Sequence, residues 1–233
     1  MPRYNAPSRT AEAAAPTSQA LAELRRQIDA LDDAMLELVE RRVAAAMGVA
    51  ELKKSDPDSR LRLRPAREAA VIERLVAQAA LSPERLVRQV WQEIMASCLE
   101  LQVHTELVVH AVRRPAILVD AMRRRFGCAG RMTVAASAVE ALDAARHREA
   151  VAVVELDPAD PWWTAIEQAN GLAAFECLRD EAGAPIALAI GRIAREDLQA
   201  CPQIRVVGEA DVPADAEVLA SAGGRRLVLE AGR

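Results

Sequence analysis

Two cations eleven residues apart, Arg42 and Lys53, lie in a stretch whose apolar residues repeat at helical spacing. At ~100° per residue, eleven residues return to within about 20° of the start, so both side chains share one helix face some three turns apart. Met35 lies seven residues before Arg42, so that face overlaps an apolar stripe. Cations beside a core seam are unfavourable unless something anionic neutralises them. The chemistry this pair suits is the holding of an anion. The plainer reading is two long side chains reaching from the edge of the stripe into water. Farther on, "RLRLRPARE", Arg60 to Glu68, puts four arginines into nine residues of a chain whose formal net charge is -4. It closes on the pair Arg67-Glu68. Neither half of the chain is basic: residues 18–102 hold 13 Lys/Arg and 14 Asp/Glu, and residues 103–233 hold 15 and 19. The arginines are therefore a local feature, and a nucleic-acid partner is not expected.

The elements that must hold these residues are helical. Leu21, Leu24, Ile28, Leu31, Met35 and Leu38 are spaced 3, 4, 3, 4, 3, one continuous stripe. Good helix formers continue to Lys54, and the first proline after the stripe is Pro57. A helix over 18–54 would be about 55 Å long and would need partners along its whole length, from a second chain. The segment "SDPDS" breaks it. A second helix fits "PAREAAVIERLVAQAA" with Pro65 in its first turn, and a third follows Ser82 as N-cap and Pro83 at the first helical position. Residues 1–17 are Ala/Pro-rich and patternless, a disordered tail. Hydrophobic residues make up 52 % but aromatics only 3 %, a helix-friendly core mixture. The four cysteines are far apart and show no ligand spacing, as expected of reduced thiols in a cytoplasmic protein. No run is long and apolar enough for a membrane span.

In order and spacing, "LAELRRQIDALDDAMLELVERRVAAAMGVAELKK", the broken loop, "RPARE" and "WQEIMASCLELQ" resemble the all-helical (type II) class of chorismate mutase, over about residues 18–102. The resemblance implies an all-α three-helix N-terminal domain, residues 18–104, forming an intertwined homodimer through the long helix. It implies an isomerase of the shikimate pathway that converts chorismate to prephenate in aromatic amino acid biosynthesis, with no cofactor and no metal. By motif, Arg25 matches the arginine that reaches into the partner's site. Arg42 matches the pocket arginine, and Lys53 the lysine at the substrate's carboxylate and ether oxygen. Arg67 lies beside the site, Glu68 accepts from the substrate hydroxyl, and Gln102 meets the ether oxygen. Two positions depart from the pattern. Arg64 stands where the class usually has an aspartate, and Cys98 where it has a serine, so Cys98 is the expected carboxylate contact. In this reading Arg60, Arg62 and Arg64 form a cationic loop near the pocket mouth that steers a dianion, or a solvated loop balanced by Asp56 and Asp58.

After His104 short β-branched runs alternate with helical patterns, which predicts a smaller α/β domain over 115–233 beginning with a strand at "AILV". "SAVEALDAARHREAVAVVELDPADPWW" resembles a worn segment of prephenate dehydratase, in which a helix leads to a strand and a ligand loop. The glycine-rich early loop, the Asn-Ser after the strand and the Thr-Arg-Phe element of that enzyme are missing, so dehydratase activity is not expected. Trp162 and Trp163 either cover a small ligand or pack on the sheet. His104, His110 and His147 show no triad or ligand spacing. Two alternatives to an active mutase remain open. One is a catalytically weakened binding or regulatory partner of an aromatic-pathway enzyme. The other is a plain coiled-coil scaffold, which explains the stripe but not Arg42, Lys53, Glu68 and Gln102 together.

Overall fold

The computed structural model describes residues 14–53, 64–102, 105–147, 150–168, 172–193 and 203–230. Of the expectations above, residues 1–13 of the tail, the break at 55–59 with Asp56 and Asp58, Arg60 and Arg62 of the arginine loop, His104 and Cys201 lie outside the described residues. The chain divides into two compact units, Met1–Gly48 and Val49–Arg233. Helix α1 (Ala14–Lys53) runs for 40 residues, about 60 Å. It begins four residues before the expected start. Pro16 falls in its first turn, where the missing N–H has no intrahelical partner to lose. Ala14 to Thr17 thus belong to the helix and not to the tail. In the first unit α1 is the one described element, and its stripe stays open: Leu21, Leu24, Ile28, Leu31, Met35 and Leu38 are 48–63 % exposed.

The second unit opens with the last turn of α1, then α2 (Pro65–Gln78) and α3 (Glu84–Gln102). Arg64 takes the N-cap position of α2 with a non-helical backbone, and buried Pro65 starts the helix at a position where proline's fixed φ is an advantage. The first turn of α3 closes on the Pro83 carbonyl, which accepts from the Leu86 N–H at 2.9 Å. The helix therefore starts slightly later than Ser82 and Pro83 suggest. Ile72 of α2 and Val87 of α3 are buried, and Arg88 of α3 reaches Glu73 of α2 at 2.8 Å while holding Glu84 at 2.7 Å.

The rest of this unit is α/β. Strands β1 (Glu106–His110), β2 (Arg131–Val134), β3 (Ala150–Glu155), β4 (Ala173–Arg179) and β5 (Pro185–Gly191) form one sheet in the order β2-β1-β3-β5-β4. β1 is parallel to both β2 and β3, while β5 runs antiparallel to β3 and β4. The connections are α4 (Pro115–Phe126) from β1 to β2 and α5 (Ala138–His147) from β2 to β3. Because the two crossovers run in opposite directions along the sheet, right-handedness puts their helices on opposite faces. The run "AILV" is thus not a strand. Pro115 opens a helix there, Leu118 points into the core, and the first strand is the earlier Leu107-Val108-Val109. The α/β region accordingly begins at Glu106 instead of 115. β3 and most of β5 are buried along their length, as expected for strands covered on both faces. One core joins Leu107, Val109, Val151 and Val153 to Leu118, Met122 and Phe126 of α4, with Leu99 of α3 packed against it. The other joins Val108, Ala152 and Val154 to the alanines of α5 and to Trp162 and Trp163. A second, antiparallel sheet of β6 (Gln203–Gly208), β7 (Glu217–Ala222) and β8 (Arg225–Glu230), in the order β6-β8-β7, closes the latter core with Val206, Leu219 and Leu227.

Candidate functional site

The sequence-derived residues fall on three helices. Arg25, exposed, and Arg42, half-buried, belong to α1 within the first unit. Lys53 ends α1, and only its backbone is described. The unbroken helix keeps Arg42 and Lys53 eleven residues apart on one helical repeat. Arg67 and Glu68 lie in the first turn of α2, Arg67 exposed and Glu68 half-buried. On α3, Cys98 is buried at 4 % exposure and Gln102 is half-buried one turn later. Four residues apart, they stand on the same face. Among the described residues Cys98, Cys128 and Cys177 form no disulfide.

Glu68 has a charged partner from the α/β region. Its Oε2 accepts from the Arg125 guanidinium of α4 at 3.0 Å, and Arg125 Nε donates to Glu176 of β4 at 2.5 Å. The arginine also lies over the Phe126 ring, 5.0 Å from its centroid. Burial pushes Arg125 toward the neutral form, but the Glu176 and Glu68 carboxylates outweigh it and raise its pKa. Guanidinium and carboxylates form an ion-paired triad. Beside it is a cavity of ≈ 40 Å³ reached by Glu68, Gln92, Thr105 and Arg125. The buried Thr105 hydroxyl lacks a partner among the described residues. The space suits one or a few waters and no larger guest. A neighbouring contact fixes α3 on the α/β region: Glu93 accepts from the Cys128 N–H at 3.1 Å. Sequence reasoning missed Arg125 and Glu176. Arg125 closes the run Arg123-Arg124-Arg125 at a helix C-terminus, where cations are favourable for helix-dipole reasons alone. Nothing in the sequence distinguishes the third arginine from the first two.

In the α/β region the C-terminal ends of β1 and β3 frame the crevice where sheets of this kind take ligands. The chain fills it from within. The Glu155 carboxylate, 3 % exposed, accepts from the Val112 and Arg113 N–H groups at 2.8 Å and from Arg114 Nε at 3.2 Å. Burial alone would push its pKa up, but these donors hold it below the ordinary carboxylate value. Trp162 Nε1 donates to the Glu155 carbonyl at 2.7 Å, and both tryptophans are buried. They pack on the sheet, the second of the two roles open to them. Trp163 also borders a cavity of ≈ 310 Å³ together with Arg113, Arg114, Asp157 and Ser221. His110 Nδ1 lies 3.1 Å from the Ala135 carbonyl, and His147 is exposed at the end of α5. Among the described residues no group of three His, Cys, Asp or Glu side chains could hold a metal ion, and no helix is long and apolar enough to cross a membrane.

Against known proteins, residues 24–103 match the family model described as chorismate mutase type II. The match takes in most of α1, from Leu24 onward, together with α2 and α3, and ends before β1. It covers a helical N-terminal region that is followed by mixed sheets and helices. No curated protein and no solved structure gives a significant match.

Proposed function

We propose that the chain is a chorismate mutase, an isomerase that rearranges chorismate to prephenate in the cytoplasm on the route to phenylalanine and tyrosine. The carrying observation is the chorismate mutase type II match over 24–103, which contains Arg25, Arg42, Lys53, Arg67, Glu68, Cys98 and Gln102. The substrate is a dianion with an enol-ether bridge. Holding it folded removes much of the barrier, because the rearrangement is intramolecular. As the C–O bond breaks, negative charge grows on the ether oxygen. Lys53 and Gln102, as fixed donors, favour that state over the ground state. Arg42 holds carboxylate charge, Arg67 lies beside the site, Cys98 lines the carboxylate end, and Glu68 accepts from the ring hydroxyl. The chemistry calls for no nucleophile, metal or cofactor. The open stripe of α1 supports a homodimer, in which Arg25 serves the partner's site.

The domain division that goes with this reading is a mutase domain over 18–104 and an α/β appendage of worn dehydratase-like ancestry. The segment from Ser137 to Trp163 folds as α5, β3 and a following loop, the order that ancestry requires. The loop after β1 carries Val112, Arg113 and Arg114 bound to Glu155 in place of a glycine-rich ligand loop. Prephenate should therefore accumulate without conversion to phenylpyruvate.

The test is to incubate the full chain with chorismate, follow loss of chorismate absorbance, and identify the product. Turnover that vanishes in Arg42→Ala and Lys53→Ala supports the proposal. A rate no faster than the uncatalysed one, at any protein concentration, overturns it.

A further inference from the structure

We infer that Arg125, outside the segment matched to the mutase family, is a positioning residue for Glu68, so that the α/β half completes the mutase site. The inference rests on the mutase reading of Glu68 given above. Glu68 approaches from α2, Glu176 from β4, and Arg125 stands between them on α4 with only 18 % of its side chain exposed. The arginine is fixed from the sheet side. Its Nε is tied to Glu176 at 2.5 Å and its plane lies over the Phe126 ring. A guanidinium held this way is a rigid fork, and the nitrogen it presents to α2 is NH1. Glu68 meets that nitrogen with Oε2 at 3.0 Å.

Two consequences follow for chemistry at Glu68. Among the described residues Arg125 is the side chain that reaches this carboxylate, and it takes one oxygen. That fixes the rotation of the group and leaves Oε1 to accept from a substrate hydroxyl. The charge matters as well. A bare carboxylate repels a dianion that must approach within hydrogen-bond distance, and a guanidinium in contact with it offsets that repulsion. The adjoining ≈ 40 Å³ cavity is too small for the substrate, so this side of Glu68 supports the residue and does not bind the ligand. The water-sized space next to the unpartnered Thr105 hydroxyl belongs to the same supporting shell.

The experiment is a double-mutant cycle on the full chain, reading kcat/KM for chorismate in Arg125→Met, Glu68→Gln and the double variant, with melting curves for each. Arg125→Met is expected to lower kcat/KM about tenfold in the wild-type background. In the Glu68→Gln background it should change kcat/KM by less than about twofold, because the group it positions is already disabled. Arg125→Lys, which keeps charge and one donor, should recover part of the loss. If Arg125→Met fails to fold, Arg125→Lys carries the same cycle. Equal losses in both backgrounds, or no loss in the wild-type background, overturn the inference and leave the mutase assignment intact. A wild-type chain without turnover, or a Glu68→Gln variant as active as wild type, overturns the role of Glu68 itself and the inference with it.

Discussion

Cys98 stands where the family pattern has serine, and its position on α3 gives the substitution a defined consequence. It is buried and shares a helix face with Gln102. If Cys98 meets the substrate carboxylate as proposed, its thiol, a weaker donor than a hydroxyl, holds it less well, and a contact of about 1 kcal/mol corresponds to about fivefold in affinity. Cys98→Ser should lower KM for chorismate several-fold with kcat within a small factor, because the contact is made in ground and transition states alike. Unchanged steady-state constants would remove Cys98 from the pocket and Gln102 with it. Glu155 carries a different kind of consequence, one of stability. Burial opposes its charge, but the Arg113 and Val112 N–H groups and Arg114 hold its pKa below the ordinary value. A depressed carboxyl stabilises the fold above its unfolded value and loses that contribution as pH falls through the folded value. Glu155→Gln should therefore cost about 1–3 kcal/mol near neutrality. The gap in melting temperature to wild type should close as pH falls below about 4. A gap that persists unchanged in acid would show that shape, and not charge, is what the site needs.

At the scale of elements the long helix carries the strongest expectation. Its stripe from Leu21 to Leu38 is about half exposed or more throughout, and a second copy is the proposed cover. Sedimentation of the full chain should give the mass of two chains, and Leu31→Glu should shift it toward one; wild type sedimenting as a single chain would remove the dimer. If Arg25 serves the partner's site, mixing inactive Arg25→Ala with inactive Lys53→Ala chains should restore roughly a quarter of wild-type turnover, from one intact site in half of the dimers. No recovery after verified exchange would assign Arg25 to its own chain. The helices were legible in the sequence because Leu21 to Leu38 and the proline starts at Pro65 and Pro83 are local signals. The strands were legible where runs are buried on both faces, as in "AVAVVE" and "IALAI". They were missed at β4 and β7, whose mixed patterns "AAFECLR" and "EVLASA" acquire meaning only from the neighbouring strand. "AILV" misled because an apolar run of four fits a buried helix turn as well as a strand, and Pro115 decides between them.

At the scale of the whole molecule, the candidate site was legible on the helices and illegible beyond them. Arg42, Lys53, Glu68 and Gln102 follow a spacing, whereas the pairing of Glu68 with Arg125 spans 57 positions and follows from packing alone. That packing has a testable hinge point. Gly127, at φ 71°, follows α4, and a Cβ there would lie 2.7 Å from Ala96 Cβ and 2.8 Å from Glu93 Oε2 on α3. Gly127→Ala should destabilise by about 1–3 kcal/mol through strain and overpacking together. Gly183→Ala, at φ 82° with nothing within 4 Å of the added carbon, should lose only the strain part, about 1 kcal/mol. Equal losses in thermal melts would mean that α3 does not bear on this loop. The uncovered stripe of α1 also bears on any assay. When an apolar face is buried only by association, the folded state is favoured by mass action and its stability depends on chain concentration. A site that borrows Arg25 from a neighbour inherits the same dependence. If the proposed dimer forms, turnover per chain should fall on dilution toward its dissociation constant and recover on concentration, and specific activity would follow a binding isotherm.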